Sequence, residues 1–166
     1  MESHLARLQQ ELEEVIARMT ESALGQAPAG KWNSAQIFEH LYLTYTLTNR
    51  GLAKALEKGA PLATRATMKS RLYAFSVLWL SRMPVGFEAP SRVVPRGMSF
   101  AEVKSRLSPE IQAMEAGFQD CERRWGAATK LLDNPNLGPL TSDEWRKFHL
   151  VHGRHHIRQI RERAGI

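Results

Sequence analysis

Between Val103 and Leu132 an apolar residue returns every three or four positions: Val103, Leu107, Ile111, Met114, Phe118, Cys121, Trp125, Ala128 and Leu132. That interval is the turn of an α-helix, so it commits this part of the chain to a long helix with one buried face. The same interval recurs elsewhere. Leu5, Leu8, Leu12, Val15 and Met19 predict a first helix over about Ser3 to Leu24, stopped by Gly25, Pro28 and Gly30. Ile37, Leu41, Thr44 and Leu47 predict a second, opened by Asn33 with Gln36 in capping-box register and closed near Lys58 by Gly59 and Pro61. The last starts at Thr141, with Glu144 as capping partner, and runs to about Arg163. Ser99 and Glu102 offer the third helix the same box. Pro109 lies inside the third stripe without changing its phase, so either the helix kinks there or a shorter one restarts at Ser108.

Four such stripes bury one another in a bundle. The expected fold is all-α: a four-helix bundle in a single domain over residues 1–166, with a long crossover from about Pro61 to Met98 between the second and third bundle helices. That connection permits consecutive bundle helices to run in one direction. Its centre, Met68 to Met83, reads as a shorter helix with an apolar band of Leu72, Phe75, Leu78 and Trp79, followed by an irregular stretch marked by Pro84, Gly86, Pro90, Pro95 and Gly97. Asp133 to Pro139 reads as a loop, and no strand is expected. With 166 residues, 43% of them hydrophobic, the chain can fill a core.

Composition narrows the function. One cysteine, Cys121, permits no internal disulfide and no thiolate zinc cluster. The net charge of +6 is spread along the chain without a basic block, which favours a solvated helical surface over specific nucleic-acid binding. The longest apolar run, Leu72 to Leu80, is interrupted by Ser76 and falls far short of the roughly 20 residues a membrane span needs. Residues Met1 to Glu14 are polar and acidic, unlike a secretory signal. The expectation is a cytoplasmic protein without a membrane partner.

The last helix departs from the others. Its stripe is Trp145, Phe148, His152, His156 and Gln159, so two imidazoles and an amide stand where the other helices place aliphatic side chains. A buried polar group without a partner costs about 1–3 kcal/mol, and something should offset that. His152 and His156, four apart, have Cβ atoms roughly 5–6 Å from each other, which lets both rings reach one metal ion. His40 lies on the inner edge of the second helix. It stands about 10 Å into that helix, and His152 and His156 stand about 16 and 22 Å into theirs, so antiparallel packing brings all three to one level. Three neutral imidazoles form an open divalent-metal site.

Plainer readings stand beside this one. His149 and His155 weaken the signal, because a histidine-rich helix end can also be surface, and His155 rivals His156, which is preferred because it shares a face with Trp145, His152 and Gln159. Gln159 serves a ligand, a bound water or an interhelical hydrogen bond. Gln159, Trp145 and Thr44 are the candidates for the outer shell or pocket wall, and Trp32 is a further wall candidate or a helix-end packing residue. Arg154 and Arg158 flank the histidine face, where they meet an anionic substrate or simply solvent. Glu39, next to His40, points elsewhere on its helix, and Cys121 reads as a buried structural thiol.

The segment Trp32-Asn33-Ser34-Ala35-Gln36-Ile37-Phe38-Glu39-His40-Leu41 resembles the histidine-bearing second helix of the DinB/YfiT-like superfamily. His152-Gly153-Arg154-His155-His156-Ile157-Arg158-Gln159-Ile160 resembles its H-x-x-x-H-x-x-Q-I signature. Asn136-Leu137-Gly138-Pro139-Leu140-Thr141, Glu144-Trp145 and Phe148 resemble a branch known chiefly as a domain of unknown function. The resemblance implies a four-helix bundle and a divalent metal, zinc or nickel, on His40, His152 and His156. It implies a thiol S-transferase acting on a small electrophile, or a hydrolase at the same site, and allows a homodimer. On this expectation the metal lowers the pKa of a low-molecular-weight thiol, or of water in the hydrolase. A non-catalytic ligand-binding or stress-response protein is the reading from another class.

Overall fold

The computed structural model describes residues 3–83 and 89–166. Helix α1 spans His4–Ala17, α2 Glu21–Gly25, α3 Ser34–Lys58, α4 Met68–Leu78, α5 Phe100–Trp125 and α6 Ser142–Ala164. A 3-10 turn covers Ser91–Val93, and two short strands, β1 Leu132–Asn134 and β2 Gly138–Leu140, precede α6. The fold is an all-α bundle framed by α1, α3, α5 and α6, with α4 in the crossover. The capping boxes Asn33/Gln36 and Thr141/Glu144 are both formed. Ser99 accepts from the Glu102 amide, but Glu102 reaches forward to Arg106 instead of back.

Side-chain contacts give the helix directions. Tyr42 meets Arg106, Asn49 meets Glu110 and the Leu56 carbonyl meets Arg124, so α3 and α5 run parallel. The crossover exists because parallel neighbours cannot be joined by a short turn. Thr48 meets His149 while His40 meets His152, so α3 and α6 are antiparallel. Leu5, Leu8, Leu12 and Val15 from α1, Ile37, Leu41 and Leu52 from α3, and Leu107, Ile111, Met114 and Phe118 from α5 fill the core.

Several expected boundaries move. The first helix ends at Ala17, because the Thr20 hydroxyl caps the Ala23 amide and starts α2. Helix α5 ends at Trp125, since Gly126 at φ +87° turns the chain, so Ala128 and Leu132 leave the helical stripe. It passes through Pro109 as one element, without the restart at Ser108. The expected loop at Asp133 to Pro139 is a hairpin, with Leu132 opposite Leu140 and Asn134 opposite Gly138. Two amides, of Asn136 and Leu137, donate to the Asn134 side chain at its tip, a local bond that makes the tight turn. Helix α4 ends at Leu78, and of its expected apolar band only Leu78 is buried; Leu72, Phe75 and Trp79 face outward. Pro84 and Gly86, expected in the irregular stretch, lie outside the described residues. No helix among those described is long and apolar enough to cross a membrane.

Candidate metal centre

His40, His152 and His156 are buried and meet at one point between α3 and α6. The His152 Nε2 atom lies 3.3 Å from Nε2 of His40 and 3.1 Å from Nε2 of His156. All three ligand atoms lie within 4.8 Å of one another. His155, the rival ligand, is outside the cluster.

The outer nitrogens set the proton positions. His40 Nδ1 lies 2.8 Å from the Val93 carbonyl, which can only accept, so Nδ1 carries the proton and the neutral ring turns a lone pair inward at Nε2. His156 Nδ1 lies 2.9 Å from Gln159 Oε1, and the Gln159 amide group lies 3.2 Å from His155 Nε2. That chain orients the His156 lone pair inward too. Second partners of this kind are what metal-binding imidazoles ordinarily have. The His152 ring is fixed by packing instead: it stacks on Phe148 with centroids 5.4 Å apart and planes 11° from parallel. Its Nδ1 is buried without a hydrogen-bond partner.

These residues fit a divalent cation. A proton on His152 Nε2 can be given to only one of the two facing lone pairs, whereas a cation satisfies all three. Bonds of about 2.0–2.1 Å at tetrahedral to right angles separate neighbouring nitrogens by roughly 2.8–3.4 Å, which brackets the two contacts of His152 at 3.1 and 3.3 Å; the three atoms together spread to 4.8 Å, so an ion would draw His40 and His156 closer. Burial holds the rings in the neutral form that ligation needs. It lowers the pKa of His40, with the Val93 bond acting the opposite way. Burial, then the neighbouring imidazoles, takes His152 well below the usual range. Burial foremost takes His156 down to about 3.

Residues 2–163 match the family described as "Protein of unknown function (DUF1569)". The chain belongs to that family. No curated protein and no solved structure matches it.

In this DUF1569 chain the triad opens into a cavity of about 1020 Å³. Trp145, Thr44 and Gln159 all line it, and so does Trp32, whose ring lies 5.1 Å from that of His40. Thr44 spends its hydroxyl proton on the His40 carbonyl of its own helix. Leu132, Asn134 and Leu137 of the hairpin form another wall, which Trp145 ties to α6 by donating its indole N–H to the Leu132 carbonyl.

The remaining candidates take structural places. His149 is fully buried, so α6 carries no exposed histidine end there; its Nε2 faces the Thr48 hydroxyl at 3.2 Å and its ring stacks on Trp145. Arg154 is held by Glu11 of α1, away from any substrate. Arg158 is exposed and outside the cavity wall. Cys121 is buried, and burial foremost raises its pKa, as expected for a structural thiol. Glu39 does point away from the triad: its carboxylate accepts from the amides of Arg96, Gly97 and Met98. Glu39 and His40 thus bind the returning crossover at successive residues. Sequence reasoning missed the Val93 carbonyl and the cavity-lining Arg163. The first is a backbone atom with no sequence signal, but the second lies on the His156 face at helical spacing.

Proposed function

We propose that this protein is a metal-dependent enzyme that holds a zinc or nickel ion on His40, His152 and His156 and transfers a low-molecular-weight thiol to a small electrophile. The observation that carries the reading is the meeting of three buried imidazoles with Nε2 atoms 3.1 and 3.3 Å apart in sequence around His152. The resemblance to the DinB/YfiT-like superfamily supports it. A divalent cation there supplies the positive charge that makes a thiol or water acidic at neutral pH.

The chain's own residues supply position and shielding. Val93 and Gln159 hold two rings with their lone pairs inward. Trp32, Trp145 and Phe148 give the cavity an apolar wall beside the imidazoles. Among the described residues the one carboxylate on the cavity wall is Asp133, and both its oxygens are taken by the Thr64 amide and hydroxyl. A thiol, with a free pKa of about 8.5, needs less help to ionise than water at about 15.7. That favours thiol transfer over hydrolysis at the same centre.

Purified under metal-replete conditions, the protein should retain close to one divalent ion per chain, and His152→Ala should lose it. Elemental analysis showing no retained metal would overturn the proposal. With the loaded protein, product formation from electrophile panels should depend on added thiol; turnover of esters or amides without thiol would assign hydrolysis instead.

A further inference from the structure

Helix α6 carries an arginine on the cavity wall that makes no side-chain hydrogen bond or salt bridge among the described residues. Arg163 lies seven residues beyond His156, two helical turns or about 10 Å along the axis. Both side chains leave α6 on the same face, and helical side chains lean toward the N-terminus, which tips the long Arg163 side chain back toward His156. Arg163 lines the triad's cavity. Its Nη1 is buried and has no hydrogen-bond partner.

Of the other four arginines of α6, Arg158 and Arg161 are exposed and off the cavity wall, and the remaining two are committed. Arg146 bonds Glu115 and Glu122 of α5, and Arg154 bonds Glu11 of α1. Lys31 and Arg92 add positive charge to the cavity wall, while the carboxylate of Asp133 is already paired with Thr64. Among the described wall residues, Lys31, Arg92 and Arg163 outnumber the one carboxylate, so that part of the wall is net positive. The body of the cavity is apolar, walled by Leu47, Leu137, Trp32, Trp145 and Phe148.

We propose that Arg163 recognises a carboxylate on the ligand of this cavity, so that the site takes a small molecule with an apolar body and one anionic end. The guanidinium presents two parallel N–H groups, which match the two oxygens of a carboxylate. The apolar walls accept the body, and the anionic end sits at Arg163, on the His156 face of α6. That the molecule is also a reactant rests on the function proposed above; that the cavity prefers a carboxylate does not.

The test uses 4-phenylbutyrate and its uncharged counterpart 4-phenylbutan-1-ol, titrated by calorimetry into the full-length protein, metal-free and with one equivalent of zinc. The acid should bind about tenfold tighter than the alcohol, or more, in both forms. Arg163→Gln should bring the two within about twofold, and Arg163→Lys, which keeps the charge and loses the fork, should fall between. Lys31→Gln and Arg92→Gln should leave the preference in place. The Arg163 side chain makes no hydrogen bond or salt bridge among the described residues, so circular dichroism and metal content of its variants should match the parent. Equal binding of acid and alcohol, a preference that survives Arg163→Gln, or no binding of either compound at millimolar concentration would overturn the assignment. Loss of zinc retention by the parent protein would count against the proposed enzyme and leave the carboxylate preference standing on the metal-free titration.

Discussion

Gln159 shows how one side chain can set the state of two others. Its carbonyl oxygen faces His156 Nδ1 and its amide group faces His155 Nε2, so the orientation of one amide decides where the His156 proton sits. Replacing Gln159 with Leu leaves that proton without an acceptor and the ring free to turn. We expect metal affinity to fall about 10- to 100-fold, the usual cost of losing such a second partner, read by competition with a chromogenic chelator. Helix content should not change. Part of this arrangement is visible in the sequence, because Gln159 stands three residues from His156 and four from His155, both spacings that bring side chains together on one helix. The Val93 carbonyl is not visible, because it reaches His40 across 53 positions of chain.

At the scale of elements, α6 is where packing and chemistry meet. Gly153 follows His152 directly, and a Cβ there would lie 2.3 Å from Leu8 Cδ1. Leu8 is fully buried in the core and has no open side to move to. Gly153→Ala should therefore destabilise the protein by about 1–3 kcal/mol through overpacking of α1 on α6. Alanine's better helix propensity, worth about 1 kcal/mol, works against that loss. Urea unfolding measures the balance, and a more stable variant would show that α1 can shift. Helix α4 carries the opposite lesson. Met68, Leu72, Phe75 and Trp79 recur at helical spacing, yet they are 81%, 69%, 52% and 77% exposed. A periodic stripe identifies the face of a helix that is apolar; it does not say that the same chain covers it.

For the whole molecule, the buried histidines couple stability to pH. Burial takes His149 down to about 3 and His156 to about 3, and lowers His40 and His152 as well. An unfolded chain protonates its histidines near pH 6.5. Between about pH 6.5 and 3 the unfolded state thus binds more protons than the folded one, so stability falls as the pH falls. The metal-free protein should hold its denaturation midpoint above about pH 7 and lose it progressively on acidification to pH 5. His149 sits against Tyr45, Thr48, Trp145 and Phe148, and it interacts electrostatically with the imidazole of His152. His149→Leu should make the acid limb shallower by up to about 1.4 kcal/mol per pH unit. An unchanged slope would mean that His149 does not titrate on unfolding in that range.

The features legible in the residues alone are local. Helix starts at Asn33 and Thr141, the end at Gly59, and the shared face of His152, His156 and Gln159 all follow from interactions within a few residues. The level of His40 against that face was also legible, because axial position is only a count of residues from each helix start. Tertiary structure decided the rest. It brought imidazoles 112 positions apart to 3.3 Å, folded the presumed loop into the hairpin that walls the cavity, and left α4's stripe uncovered. It also paired Arg146 and Arg154 while leaving Arg163 unpaired. The physical reason is the same in each case: caps and periodicity act along one helix, whereas burial, pairing and convergence depend on which surfaces the other helices bring to it.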